Sequence, residues 1–427
     1  MKKLLLFILG TLACHEGFSQ WNYKGLGHVA TNQLTIHQDS IYASTSSGLY
    51  RKNLFDSDTT WELVSFGGSK VLNTLFLDQN ECLLLVETDP FAGRISLFRS
   101  SDRGKTANLF LNDTVDYKYP GLQHIAKAGA GKDTIFLLDH NKKTYNGGQT
   151  WLPLGHSPQN DNFVYVNPTN QSEVFVGGEN MMFAATLQRS TDKAQNWQFE
   201  NTANVFAGDN AFHVLHIIDG DWYAAGEGIF VKRPVNDSNW TQLLNLFNDQ
   251  DWGQYFFGFD YSSANNDYLY LSGDGGNNSK LRLHKSSDRG NTWDTLSYAR
   301  PDQTQYGVFD LKVQHVWGED RVWLGGQGVY TYTQSVPLAM DGIGKQPMKV
   351  EVYPNPAKEY LRVKLGFLDT EQEVDLKIYN AMGQVVGHKK LQSRAEDIVN
   401  IASLPAGIYF LRVHTYERGE VLRFIKE

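Results

Sequence analysis

Between Trp21 and Tyr332 short runs of alternating apolar and polar side chains recur, separated by turn-forming residues. Residues 33–37, 41–44 and 48–51 show the pattern, as do 308–313, 321–324 and 328–332. Alternation with period two sends successive side chains to opposite faces, so these runs are predicted to be strands. Beyond residue 348 the pattern returns at 350–353, 361–365, 374–379 and 408–413, which predicts a small C-terminal β-sandwich. The 12 Pro and 39 Gly spread among so many short runs fit an all-β chain.

One eight-residue unit repeats through the middle. Its fullest copy is Ser286-Ser287-Asp288-Arg289-Gly290-Asn291-Thr292-Trp293. Others occupy 100–107 (Asp102, with Ala107 replacing the Trp), 144–151 (Asn146, Trp151) and 190–197 (Asp192, Trp197), and eroded copies end at Trp61 and Trp240. The markers 61, 107, 151, 197, 240 and 293 lie 46, 44, 46, 43 and 53 residues apart, the period of one four-stranded propeller blade. The last module stops after 328–332 without a fourth strand, while 21–26 copies the pattern that follows a box. The expectation is a seven-bladed β-propeller over 20–335 closed by that N-terminal strand, with six or eight blades if 241–280 is read differently.

The repeat resembles the Asp-box, or bacterial neuraminidase repeat, of sialidases, xyloglucanase-type hydrolases, sortilin-type receptors and photosystem assembly factors. That resemblance implies a structural hairpin on the outer turn of each blade. Asp102, Asn146, Asp192 and Asp288 would then hold backbone N–H groups, and Trp151, Trp197 and Trp293 would pack between sheets. The F/Y-R-I-P string that opens sialidases is missing, its nearest relative being Gly93-Arg94-Ile95-Ser96 in the second module. An arginine triad from Arg94, Arg300 and Arg321 has no further support.

Both ends of the chain carry addresses. Lys2 and Lys3, the apolar run 4–12 and Gly17-Phe18-Ser19 form a signal peptide over 1–19, cleaved near Ser19. An uncleaved anchor or lipid attachment at Cys14 fits less well, because the apolar run is short and Thr11 stands where lipoprotein signals carry Leu. Cleavage leaves Cys82 as the sole cysteine, so no intrachain disulfide forms and stability must come from a large core. No other stretch has the length of a transmembrane anchor. Residues 336–348 form a Gly- and Pro-containing linker to a domain at 349–427. There Tyr353-Pro354-Asn355-Pro356, the string 378–386 around Gly383, the string 404–413 around Gly407 and the closing Phe424-Ile425-Lys426-Glu427 follow in order. This resembles the type A C-terminal sorting domain of the type IX secretion system. It implies handling by that machinery and its sortase, passage across the outer membrane, and release or surface attachment. The competing reading is an ordinary carbohydrate-binding sandwich. Tyr353 is expected to fill the core, and Gly383 and Gly407 to occupy turns of unusual φ.

Charge narrows the partners. The formal net charge is −8, with 25 Lys and Arg against 35 Asp and Glu in 20–347, so a nucleic-acid surface is not expected. The loops joining blades and the middle turns supply the candidates for ligand binding: Trp252, Tyr255, Glu87, Asp89, Glu179, Glu227, Asp274 and Arg300. Aromatics beside carboxylates suit sugar rings. Phe257, Phe259 and Tyr261 alternate as an inner strand and are assigned to the core. His124, His140, His156, His213, His216 and His284 lack metal-ligand spacing, and 272–278 reads as a Gly-rich turn, so no metal and no cofactor are expected. Two functions remain: a secreted or surface propeller that binds a glycan or protein partner, or a glycoside hydrolase using two of Glu87, Asp89, Glu179, Glu227 and Asp274.

Overall fold

A computed structural model describes residues 21–336 and 350–427, apart from 90, 92–93, 117–122, 130, 183, 203–210, 247–254, 275–279, 300–306, 317, 366–372, 381–384, 393–396 and 415–418. Every regular element among them is a strand, and no helix is long and apolar enough to cross a membrane. The chain forms two compact units, one drawn mainly from residues up to Val336 and the other mainly from Pro337–Glu427.

In the larger unit five antiparallel four-stranded sheets follow one another, each with its strands in chain order. Their first strands are Val71–Phe76, Ile125–Lys127, Asn160–Val166, Phe212–Ile218 and Tyr255–Tyr261. The sixth sheet has six strands, in the order Val308–Val316, Glu319–Ser335, Trp21–His37, Ser40–Thr45, Gly48–Asn53 and Glu62–Ser65. The sequence predicts separate sheets for the first and last modules. The difference arises because Trp21–His37 and Glu319–Ser335 are each 17 residues long and serve two partners. Trp21, Asn22, Tyr23 and Gly25 pair with Tyr332, Thr331, Tyr330 and Val329, whereas Ala30 accepts a 2.8 Å bond from the Ser46 N–H at the next strand. Glu319–Ser335 folds back on itself, its end marked by a 2.9 Å bond from Val336 N–H to the Gly318 carbonyl.

Packing between neighbouring sheets explains the unbroken apolar runs. Leu83 and Leu85 face Ile125, Ile135 and Leu137 of the following sheet, while Leu84 and Val86, beside Val71 of their own sheet, face Tyr42 and Leu49 on the other side. A strand covered on both faces has no reason to alternate. Cys82 opens this run fully buried, and burial pushes its thiol up to about 12, which leaves it unreactive at neutral pH.

Two expectations about the Tyr255–Tyr261 sheet need correction. A bulge between Phe256 and Gly258 shifts the alternation, so Phe256 and Phe259 enter the core while Phe257 and Tyr261 are half-buried. Gly273, read as part of a turn, lies within the strand Leu269–Asp274, where a Cβ would sit 1.8 Å from the Tyr255 carbonyl oxygen. Glycine stands there for close approach of two backbones.

The smaller unit stacks a three-stranded sheet (Val350–Tyr353, Tyr360–Leu365, Asp397–Asn400) and a four-stranded one (Val385–Gln392, Glu373–Asn380, Gly407–His414, Gly419–Lys426) around Leu361, Val363, Leu376, Leu411 and Phe424. Tyr353 is 38% exposed rather than in the core. Tyr409 takes that place, stacked on Phe424 at 5.5 Å with its hydroxyl donating to the Pro405 carbonyl. Gly407 begins a strand without positive φ, and Gly383 lies outside the described residues. The Pro354-Asn355-Pro356 segment is tied to the last strand by Asn355, whose Oδ1 accepts from Ile425 N–H (2.9 Å) and whose Nδ2 donates to the Arg423 carbonyl (3.2 Å).

Candidate functional site

The four fullest copies of the eight-residue repeat form one kind of turn. In the best of them Asp288 Oδ1 accepts from Ser286 Oγ and from Thr292 N–H, both at 2.8 Å, and Oδ2 accepts from Thr292 Oγ1 at 2.6 Å. Ser286 Oγ in turn accepts from Gly290 N–H at 2.8 Å, which requires the positive φ of Arg289 and Gly290. Asp102 and Asp192 repeat these contacts, and Asn146 keeps them with its amide donating to Thr150 Oγ1 at 2.9 Å. Backbone N–H donors from Thr106 and Asn196 hold Asp102 and Asp192 down at about 2. The tryptophans reach the preceding sheet: Trp151 packs edge-on against Phe110 at 6.0 Å, Trp197 donates to the Leu154 carbonyl at 3.1 Å, and Trp293 meets Phe230 at 5.3 Å. The bonds shown for these side chains stay inside the turn. Asp288→Ala is expected to cost about 2 kcal/mol in urea denaturation, and Asp288→Asn well under half of that, because Asn146 already satisfies the same geometry.

The ligand candidates scatter. Glu87, Asp89, Glu179 and Asp274 stand at or near the ends of the second strands of their sheets, and Glu227 follows one such strand. Asp89 Oδ1 accepts from Phe91 N–H (3.0 Å), and Glu179 Oε1 accepts from Asn160 Nδ2 (3.2 Å). Glu227 forms a backbone bridge with Tyr255, whose ring is 40% exposed and lies parallel to Phe257 at 6.1 Å. Trp252, Arg300 and the side chain of Asp274 lie outside the described residues.

The better-defined feature lies elsewhere. Polar groups on the first strands of successive sheets bond to the next first strand. Gln33 Oε1 accepts from Thr74 N–H (2.7 Å), Asn73 Oδ1 from His124 N–H (2.9 Å), and the Gln123 carbonyl from Val164 N–H (2.9 Å). Asn162 Nδ2 donates to the Phe212 carbonyl (3.0 Å), and His213 Nδ1 lies 3.2 Å from the Phe256 carbonyl. Asp260 Oδ2 then accepts from Val313 N–H and Asp310 Oδ2 from Leu34 N–H, both at 2.8 Å.

Among these strands opens a cavity of about 470 Å³ whose walls include Gln33, Thr35, Gln123, Asp260, Lys312 and His315. Burial raises Asp260 to about 6 despite the nearby Lys312 ammonium and two backbone N–H donors. Burial alone would lower Lys312, but Asp310, 3.0 Å from its Nζ, and Asp260 together hold it above its ordinary value. Sequence reasoning missed this cluster. Its only signal was a charged residue interrupting an apolar first strand, at Phe259-Asp260-Tyr261 and Leu311-Lys312-Val313. Among the described residues no group of three His, Cys, Asp or Glu side chains is placed to hold a metal ion.

Buried histidines make the larger unit acid-sensitive. Burial lowers His213 and His284 to about 4 and His216 to about 3, so each stays neutral in the folded chain while its unfolded form takes a proton near 6.5. Their contribution is complete above pH 6.5 and is lost as pH falls toward 4. Asp260, raised to about 6, works in the opposite direction between pH 6 and 4, one group against three. Denaturation midpoints measured at pH 7.5, 6 and 5 are expected to fall steeply, on the order of 2 kcal/mol per pH unit around pH 5. Asp102 and Asp192 add a further loss between about pH 4 and 2.

Comparison with known proteins separates the two units. Residues 351–427 match the secretion system C-terminal sorting domain family. No curated protein matches the chain significantly. Among solved structures, the GH74 enzyme of Niastella koreensis superposes with a TM-score of 0.57 and 15% identity over 94% of this chain and 73% of that one. The GH74 xyloglucanase of Xanthomonas campestris gives 0.54 and 14% over 95% and 75%. YCF48 bound to a D1 peptide gives 0.50 and 15% over 74% and 97%. At such identities the likeness concerns the fold, a β-propeller.

Proposed function

We propose that this protein is a type IX cargo, a seven-bladed propeller that binds a glycan or an extracellular protein at the cell surface or after release. The observation that carries the reading is the sorting domain at 351–427 attached to a β-propeller. The tail marks the chain for export, since in such proteins it is what the secretion machinery and its sortase handle. The signal peptide at 1–19, with cleavage near Ser19, supplies the first membrane crossing.

Seven blades and a closed ring are supported by the pairing of Trp21–His37 with Glu319–Ser335 and by the hydrogen bonds that pass from Gln33 round to Asp310 and back to Leu34. The turns centred on Asp102, Asn146, Asp192 and Asp288 have the bonding expected of Asp-boxes. A propeller fold offers a rigid platform and does not by itself specify chemistry. One solved relative in fold carries a bound peptide and two are GH74 enzymes, so both partner classes belong in the screen. The test is a glycan array probed with the mature chain, run beside crosslinking on intact cells. Enrichment of a glycan, or of one surface protein, supports the reading. A chain that captures neither, while reaching the surface, overturns the binding role.

A further inference from the structure

We infer that the cavity between the first strands is a binding site for a neutral, hydroxyl-rich ligand, a sugar ring, which rests on the binding role proposed above and gives it a location and a chemistry. The inference starts from what the cavity walls have left to offer after their internal bonds are counted. The Gln33 carbonyl oxygen is taken by Thr74 N–H, which leaves its amide N–H groups as donors. Lys312 spends one N–H on Asp310 and keeps two. Each oxygen of Asp260 accepts one backbone N–H, from Tyr261 or Val313, and retains a further lone pair. Gln123 and Ser263, both exposed and both on the wall, make no side-chain bond to another described residue.

His315 is the most constrained member. Its Nδ1 lies 2.8 Å from Asp320 Oδ1, and Asp320 is fully buried, also accepting from Ser262 Oγ at 2.8 Å and Tyr270 OH at 2.7 Å. A carboxylate bonded in this way fixes Nδ1 as the donor. Nε2, on a ring that lines the cavity, is then the nitrogen left to meet a ligand.

Donors and acceptors thus occur together on one wall, which is what a hydroxyl, itself both donor and acceptor, requires. Formal charge selects against ions. An anion would meet the Asp260 carboxylate, and a cation would meet the Lys312 ammonium, whereas a neutral ligand leaves the contact of Lys312 with Asp310 undisturbed. Apolar wall residues such as the half-buried Leu75 and Val313 supply surface for C–H groups. A volume of about 470 Å³ falls in the ordinary range for small-ligand pockets and admits a monosaccharide or the end of a chain.

The test is titration calorimetry on the full mature chain with glucose, galactose, xylose and their disaccharides, against glucuronate and glucosamine as charged counterparts. At least one neutral sugar is expected to bind, with each charged counterpart about tenfold weaker or worse. Ser263→Trp, which fills the cavity from an exposed position, and Gln123→Ala are each expected to weaken binding about tenfold or more without moving the melting temperature. Sugar binding unaffected by both substitutions would overturn this site while leaving the binding role intact. Preference for glucuronate would overturn the ligand class. Silence with every sugar would overturn the inference and leave the proposed function to its protein partner.

Discussion

A chain ending at Val336 is expected to accumulate in the periplasm, with no detectable material in the medium or on the cell surface. The reason lies in the cores: that of the smaller unit, around Leu361, Leu376, Leu411 and Phe424, is drawn wholly from residues after 349, so its removal takes away the address while the apolar clusters of the sheets before Val336 keep all their residues. The shortened chain should keep a cooperative melt, and immunoblots of fractionated cells check both halves of the expectation. A finer variant follows from Asn355, which fastens the Tyr353–Pro356 segment to the backbone of residues 423–425. Asn355→Ala breaks both bonds and is expected to lower export severalfold while the propeller stays folded. Full export of the truncated chain would remove the sorting role from this protein.

The second large effect concerns the opening strand. Removal of residues 21–27 is expected to abolish cooperative folding rather than trim a terminus. Four pairings with residues 329–332 would go, together with the Trp21 ring that lies 5.7 Å from Tyr298 and 5.3 Å from Tyr332. Trp61, which donates to the Lys24 carbonyl at 2.7 Å, would lose its acceptor. A buried aromatic contact and a sheet edge left bare together amount to about 5 kcal/mol or more, comparable with the whole stability of many domains. Exposed edges also invite association between chains. Trp21→Ala alone is expected to cost about 3 kcal/mol and to leave a monomeric, folded chain. Circular dichroism melts and size-exclusion chromatography distinguish these outcomes. A truncated chain that melts like the intact one would mean that the larger unit does not depend on the pairing of residues 21–25 with 329–332.

Much of this architecture was written in local rules. The eight-residue repeat is legible because each copy solves the same problem within itself: Ser286, Asp288, Gly290 and Thr292 bond to one another, so any copy that loses them loses its turn. Strand positions are legible for the same reason. The cavity is different. Thr35, Leu75, Ile125, Asp260 and Lys312 line one space but come from five different strands, so no local pattern links them. No repeat marks them. Long-range constraints also misled the reading of Gly273, whose nearest contact is the Tyr255 carbonyl, and of Tyr353, whose place in the core is taken by Tyr409 far along the chain. The six-stranded sheet escaped for a related cause, since nothing in residues 21–37 alone says that one strand will serve two partners.

That strand also sets an order of events. Residues 21–25 are made early, yet their partners at 329–332 arrive only after nearly the whole propeller. Contacts so distant in sequence form late, because the entropy of bringing them together must be met before they return anything. This early segment therefore waits with its edge unpaired until the strand that completes its sheet has been made.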